Sequence, residues 1–89
     1  MAQNIMMAAV SETILAAIRE NFTPDQVSAV ADLVASYGER PHEREVERVR
    51  MDIVKLSNGN MDAVRKLVGY AKRDYRDVIT WAEYSKKKP

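Results

Sequence analysis

The punctuation of the chain constrains it most. Residues that start and stop helices recur at short intervals, and no window between them alternates with period two for long enough to make a strand. Thr23-Pro24-Asp25-Gln26 supplies a capping hydroxyl, a proline whose φ is already helical, an acid against the helix dipole, and a glutamine three residues after the cap. Val27, Val30, Leu33 and Val34 then repeat at helical spacing until Gly38 offers a left-handed stop. Pro41 opens a third segment with Val46, Val49, Ile53 and Leu56 on one seam, and Ser57-Asn58-Gly59 closes it. Asn60 can cap a fourth helix carrying Val64, Leu67, Val68 and Ala71. Asp74 can cap a fifth with Tyr75, Val78, Ile79 and Trp81. Ahead of all these, Met7, Val10, Ile14 and Ala17 form one stripe of a first helix, with Ile5, Met6, Ala9 and Ile18 beside it. The pattern predicts an all-α fold, a compact bundle of about five short helices.

Eighty-nine residues give one domain, 1–89, because two would each bury too little surface. Lysines 86 to 88 predict a disordered basic tail over 85–89. With 46% apolar and 30% charged residues the chain has the composition of a globular protein, and without cysteine it has no disulfide and no thiolate metal site. Its most apolar stretch, Ile5 to Ile18, is short for a hydrocarbon core of ~30 Å and holds Ser11, Glu12 and Thr13 in its middle. The first basic side chain is Arg19, so the start lacks the charge of a secretory signal. These features predict a soluble cytoplasmic chain that does not associate with membranes.

From Tyr37-Gly38 onward a layout stands out: Glu43-Arg44, Arg48-Val49, Lys55-Leu56-Ser57 with Gly59, Asp74-Tyr75-Arg76-Asp77-Val78, and Trp81-Ala82-Glu83-Tyr84. Over about half the chain it resembles a family of small bacterial proteins of unknown function. The resemblance implies a bacterial cytoplasmic protein with an all-helical fold, and it implies no activity.

Catalytic chemistry has little to work with. The sole histidine, His42, falls in the first turn expected of the third helix, and no HExxH or second histidine completes a zinc site around it. Glycines 38, 59 and 69 stand too far apart to wrap a phosphate, and no nucleophile elbow occurs. The reading is a non-enzyme with no cofactor and no metal.

Charge is divided unevenly along the chain. Residues 1–39 carry one basic and five acidic side chains, whereas residues 40–89 carry thirteen basic and eight acidic. Arg65, Lys66, Lys72 and Arg73 are therefore the candidate contacts if the protein binds nucleic acid. Neither Gly59 nor Gly69 has the small residue four positions earlier that a helix-turn-helix requires; Lys55 and Arg65 stand there. The third helix alternates its charges, with Arg44–Glu47, Glu45–Arg48 and Glu47–Arg50 each spaced to pair.

The favoured reading is protein–protein contact. The stripe Met7, Val10, Ile14 and Ala17, flanked by small alanines, is the expected self-association seam of a homodimer. Tyr75, Arg76, Trp81 and Tyr84 are a candidate second surface for a protein partner. A simpler account of that segment has Asp74 capping, Arg76 pairing with a neighbour and Trp81 filling the core.

Overall fold

A computed structural model describes residues 10–87, and among these it contains five α-helices and no strand. Helix α1 spans Glu12–Asn21, a 3-10 turn Pro24–Gln26 leads into α2 (Val27–Ala35), and α3 (Val46–Ser57), α4 (Met61–Arg73) and α5 (Tyr75–Lys87) follow. The all-α class and the five-helix count therefore stand.

Helix α3 is the hub, packing against each of the other four helices. Its inward residues Val49, Ile53 and Val54 are fully buried, and they meet Ile14 and Ile18 of α1, Val30 and Val34 of α2, Val64 of α4 and Val78 of α5 in one core cluster. The heptad-like seam read from Val46, Val49, Ile53 and Leu56 thus finds its partners within the chain.

The helix boundaries follow local hydrogen-bond chemistry. Gln26 Oε1 accepts from the Thr23 N–H at 3.3 Å, while the Thr23 hydroxyl donates to Asp25. The tight first turn after Pro24 is 3-10, not α. Asn60 Oδ1 accepts from the Ala63 N–H at 3.0 Å and caps α4 as its sequence foretold. Before it, Asn58 and Gly59 both adopt positive φ and turn the chain out of α3. A Cβ on Gly59 would lie 2.7 Å from the Asn21 carbonyl oxygen, so this turn presses its backbone onto the end of α1.

Three boundaries depart from expectation. Helix α1 starts at Glu12, because Ser11 Oγ accepts from the Ile14 N–H at 3.2 Å and so acts as the N-cap. Its hydroxyl donates in turn to Glu47 at 2.6 Å, tying the start of α1 to α3. Val10 precedes the helix, and Met7 lies outside the described residues. Helix α3 starts at Val46, not beside Pro41, so His42 sits in a loop. Helix α5 continues through Lys87, so residues 85–87 of the expected basic tail are helical; Lys86 lies 4.0 Å from Glu83, one turn back.

Candidate functional site: a basic cleft beside an exposed aromatic face

The delayed start of α3 comes from a loop that satisfies itself. Tyr37 is fully buried and its hydroxyl donates to the Arg44 carbonyl at 2.7 Å. Glu43, also buried, turns its carboxylate back on the loop, where Oε1 accepts from the N–H groups of Gly38, Glu39 and Arg40 at 2.7, 3.0 and 3.3 Å. Gly38 has φ +111°, and a Cβ there would meet Val46 Cγ1 at 2.8 Å. Arg50 reaches from α3 to donate to the Tyr37 and Ala35 carbonyls, both at 3.0 Å, which closes the C-terminal end of α2. A carboxylate that accepts three backbone donors substitutes for a helical turn, and this is why residues 41–45 are not helical.

The electrostatics agree with that geometry. Burial pushes the Glu43 carboxyl up, but the bonds from Gly38, Arg40 and Glu39 and the nearby His42 outweigh it and hold the group below its ordinary range. Burial, followed by the charge of Glu43, pushes the Tyr37 phenol up to about 12. Tyr37 therefore stays protonated and keeps its bond to Arg44.

This loop forms one wall of a cleft of about 390 Å³, contributing His42 and Arg44. The other wall is the α4–α5 turn, which contributes Ala71, Lys72, Arg73, Asp74, Tyr75 and Arg76. Asp74 caps α5 by accepting the Arg76 N–H at 3.1 Å, and it also holds the Arg76 guanidinium through two bonds of 2.9 and 3.0 Å. The side-chain bond from Arg76 leads in lowering the Asp74 carboxyl below its usual range. The cleft's one acid is thus already occupied. Among the described residues, Arg44, Lys72 and Arg73 enter no side-chain hydrogen bond or ion pair.

A different surface runs along the same two helices. Tyr70, Trp81 and Tyr84 are 42%, 40% and 66% exposed, and no other large apolar side chain among the described residues is exposed. The Tyr70 and Trp81 rings meet edge to face, with centroids 5.5 Å apart and planes at 80°. Lys66 and Arg73 flank Tyr70 on α4, and Asp77 lies one turn before Trp81 on α5, all exposed.

The structure redistributes the residues singled out from the sequence. Val10, Ile14 and Ala17 are buried in the chain's own core, so this part of the expected self-association seam is not a surface; the chain already covers it. Trp81 does not fill the core, because it lies about a quarter-turn round α5 from the buried stripe Val78–Ala82. The candidate partner surface divides in two. Tyr75 packs partly against the core and lines the cleft with Arg76, whereas Trp81 and Tyr84 join Tyr70 on the aromatic face. The basic set divides as well. Lys72 and Arg73 line the cleft, while Arg65, bonded to Asp62 at 3.0 Å, and Lys66 lie about 10 Å back along α4. Of the charge pairs expected on α3, Glu45–Arg48 forms at 3.5 Å, and Arg48 also bonds Glu83 of α5 at 2.9 Å.

Sequence reasoning missed Tyr70 and Arg44. The signal for Tyr70 was present, since it stands two residues past the core position Val68 and so falls on the opposite side of α4. Arg44 had none, because its position depends on the loop that Glu43 organises.

A second cavity of about 360 Å³ lies between α3 and α5, lined by Asp52, Lys55, Leu56, Asn58, Ala82, Ser85 and Lys86. Asp52 is buried there, and desolvation raises its carboxyl above the ordinary value despite the opposing charges of Lys86, Arg48 and Lys55. Among the described residues no group of three or more His, Asp or Glu could hold a metal ion, and no helix is long and apolar enough to cross a membrane.

No protein family, curated protein or solved structure matches this chain. The chemistry of the site rests on its geometry alone.

Proposed function

We propose that the protein is non-catalytic and works by protein–protein contact, as a homodimer joined through the aromatic face of α4 and α5. One observation carries this reading: the exposed large apolar side chains among the described residues all lie on these two adjacent helices. Exposed aromatics in a cluster are the anchors that interfaces favour, and the other large apolar side chains among the described residues are buried in the core or packed against it. Charge supports a second copy as the occupant. A two-fold axis running along the helices sets α4 of one copy against α5 of the other and brings Lys66 toward Asp77. The same patch is then attractive to itself in charge as well as in apolar surface.

Solution mass tests the reading directly. Light scattering on a sizing column should give twice the 10.1 kDa chain mass, and Trp81→Asp with Tyr84→Asp should return it to one chain while the far-ultraviolet helical signal persists. A single-chain mass for the native protein at the highest workable concentration overturns the dimer. So does an unchanged dimer in the double variant.

A further inference from the structure

We infer that the cleft between the 36–45 loop and the α4–α5 turn binds the phosphate groups of a small molecule, with Arg44, Lys72 and Arg73 as the ligating cations. Three observations converge on it. First, the cleft concentrates charge: Arg44, Lys72, Arg73 and Arg76 surround a space of about 390 Å³ whose acid, Asp74, is held in two bonds by Arg76. Second, the cleft gathers unpaired cations in one place. Arg48, Arg65 and Lys86 sit within ion-pair distance of carboxylates, and Arg50 donates to carbonyls at the end of α2. Arg44, Lys72 and Arg73 have no such partner among the described residues. Arg19, Arg40, Lys55 and Lys66 also lack a side-chain partner among the described residues, but none of them lines this cleft. Like charges gathered round one opening repel each other, and a bound anion relieves the part of that repulsion that the Asp74 carboxylate and the C-terminal end of α4 leave.

Third, the walls are built and do not depend on the ligand. Arg44 is placed by the Tyr37 hydroxyl on its carbonyl and by the loop that Glu43 clamps. Lys72 and Arg73 end a helix separated from its successor by Asp74 alone, so their backbone is fixed from both sides. Guanidinium groups on two facing walls match the forked oxygens of a phosphate, and a phenol from Tyr75 and an imidazole from His42 complete the lining. The volume falls at the low end of small-molecule sites, about 300–1,000 Å³. That suits a compact polyanion. It suits a nucleic-acid backbone poorly, because Arg65 is already paired with Asp62 and no continuous basic track leads from Arg73 back along α4.

Pyrophosphate is the simplest probe. Calorimetric titration of the full chain should give saturable binding tighter than about 1 mM at low salt, weakening as salt rises. Arg44→Ala and Arg73→Ala should each weaken it about tenfold, since each removes one forked contact. Lys66→Ala, on the same helix but outside the cleft, should leave it unchanged, and so should Trp81→Asp, which separates this site from the dimer face. All four positions are exposed, so the helical signal checks that each variant is folded. Failure to bind up to about 10 mM pyrophosphate overturns the inference. Equal binding of sulfate overturns the assignment to phosphate groups, and tighter binding of a single-stranded oligonucleotide that needs Arg65 and Lys66 replaces the cleft with a nucleic-acid surface.

Discussion

The stripe on α1 and the stripe on α5 look interchangeable on a helical wheel, yet one is core and the other is surface. Ile14 and Ile18 are completely buried, with Ala17 beside them, whereas Trp81 and Tyr84 stand open to solvent. The difference lies in what flanks each stripe. The apolar surface of α1 continues round the helix through Leu15 and on to Phe22, so one turn of the chain can be enclosed from two sides. On α5 the small buried residues Val78 and Ala82 already fill the place against α3, and the large rings are left a quarter-turn or more away. A broad aliphatic stripe marks the core; a narrow one with aromatics off its edge marks a contact face.

The sharpest way to break this comparison is to place the same charge on both stripes. Ile14→Asp should cost about 3–5 kcal/mol, because an unpaired carboxylate would enter a closed apolar site. That is a large part of the roughly 4–13 kcal/mol expected for a chain of this length, so the urea midpoint should fall steeply. At a protein concentration low enough to keep the chains single, Trp81→Asp should cost about 1 kcal/mol or less, the worth of one edge-to-face ring contact. Urea denaturation followed by circular dichroism reads both. Equal costs would place Trp81 in the core after all.

A second, smaller effect compares the two ways in which this fold stops a helix. Between α2 and α3 the chain relies on a buried carboxylate, and between α3 and α4 on the positive-φ backbone of Asn58 and Gly59, with the Ser57 hydroxyl donating to the Val54 carbonyl at 2.8 Å. Glu43→Ala removes the acceptor of three backbone donors and should cost about 2–3 kcal/mol. The Glu43 carboxyl is held below its ordinary value, so its contribution is complete above the unfolded pKa and is lost as pH falls through the lower folded one. The gap between native protein and Glu43→Ala should therefore narrow on acidification. Gly59→Ala should cost about 1–2 kcal/mol at every pH, since positive φ and the Asn21 carbonyl both oppose a Cβ. Denaturation curves at several pH values separate the two.

How much of this was legible in the sequence depends on how local the cause is. The caps at Asn60 and Asp74 and the stop at Asn58-Gly59 were readable because each is settled by contacts within a few residues. Ser11 could also have been read as a cap, but the apolar run on either side of it masked the signal. The start of α3 was not readable. Pro41 followed by His42 and Glu43 is a good helix opening by composition, and only the return of Glu43 onto Gly38, Glu39 and Arg40 defeats it. The cleft was half legible for the same reason. Lys72, Arg73, Tyr75 and Arg76 are neighbours in sequence, but Arg44 joins them through the tertiary fold alone.

The smallest expected effect concerns Asp52, which sits on α3 opposite Ala82 and Lys86 of α5. Glu43 and Asp52 are both buried carboxylates, and their surroundings act in opposite directions. Glu43 has three backbone donors; Asp52 has only the more distant charges of Lys86, Arg48 and Lys55, opposed by Glu83, and desolvation prevails. A folded pKa above the unfolded one means that the ionised group costs stability at neutral pH. That cost disappears as pH falls through the folded value toward the unfolded one. Asp52→Asn should therefore stabilise the protein at pH 7, by up to about 1 kcal/mol given the partial screening of its neighbours, and the gain should vanish near pH 3. Thermal melts of the two proteins at both pH values measure this. A variant less stable than the native protein at pH 7 would mean that attraction to Lys86 and Arg48 outweighs burial, and that Asp52 joins α3 to α5 instead of straining their contact.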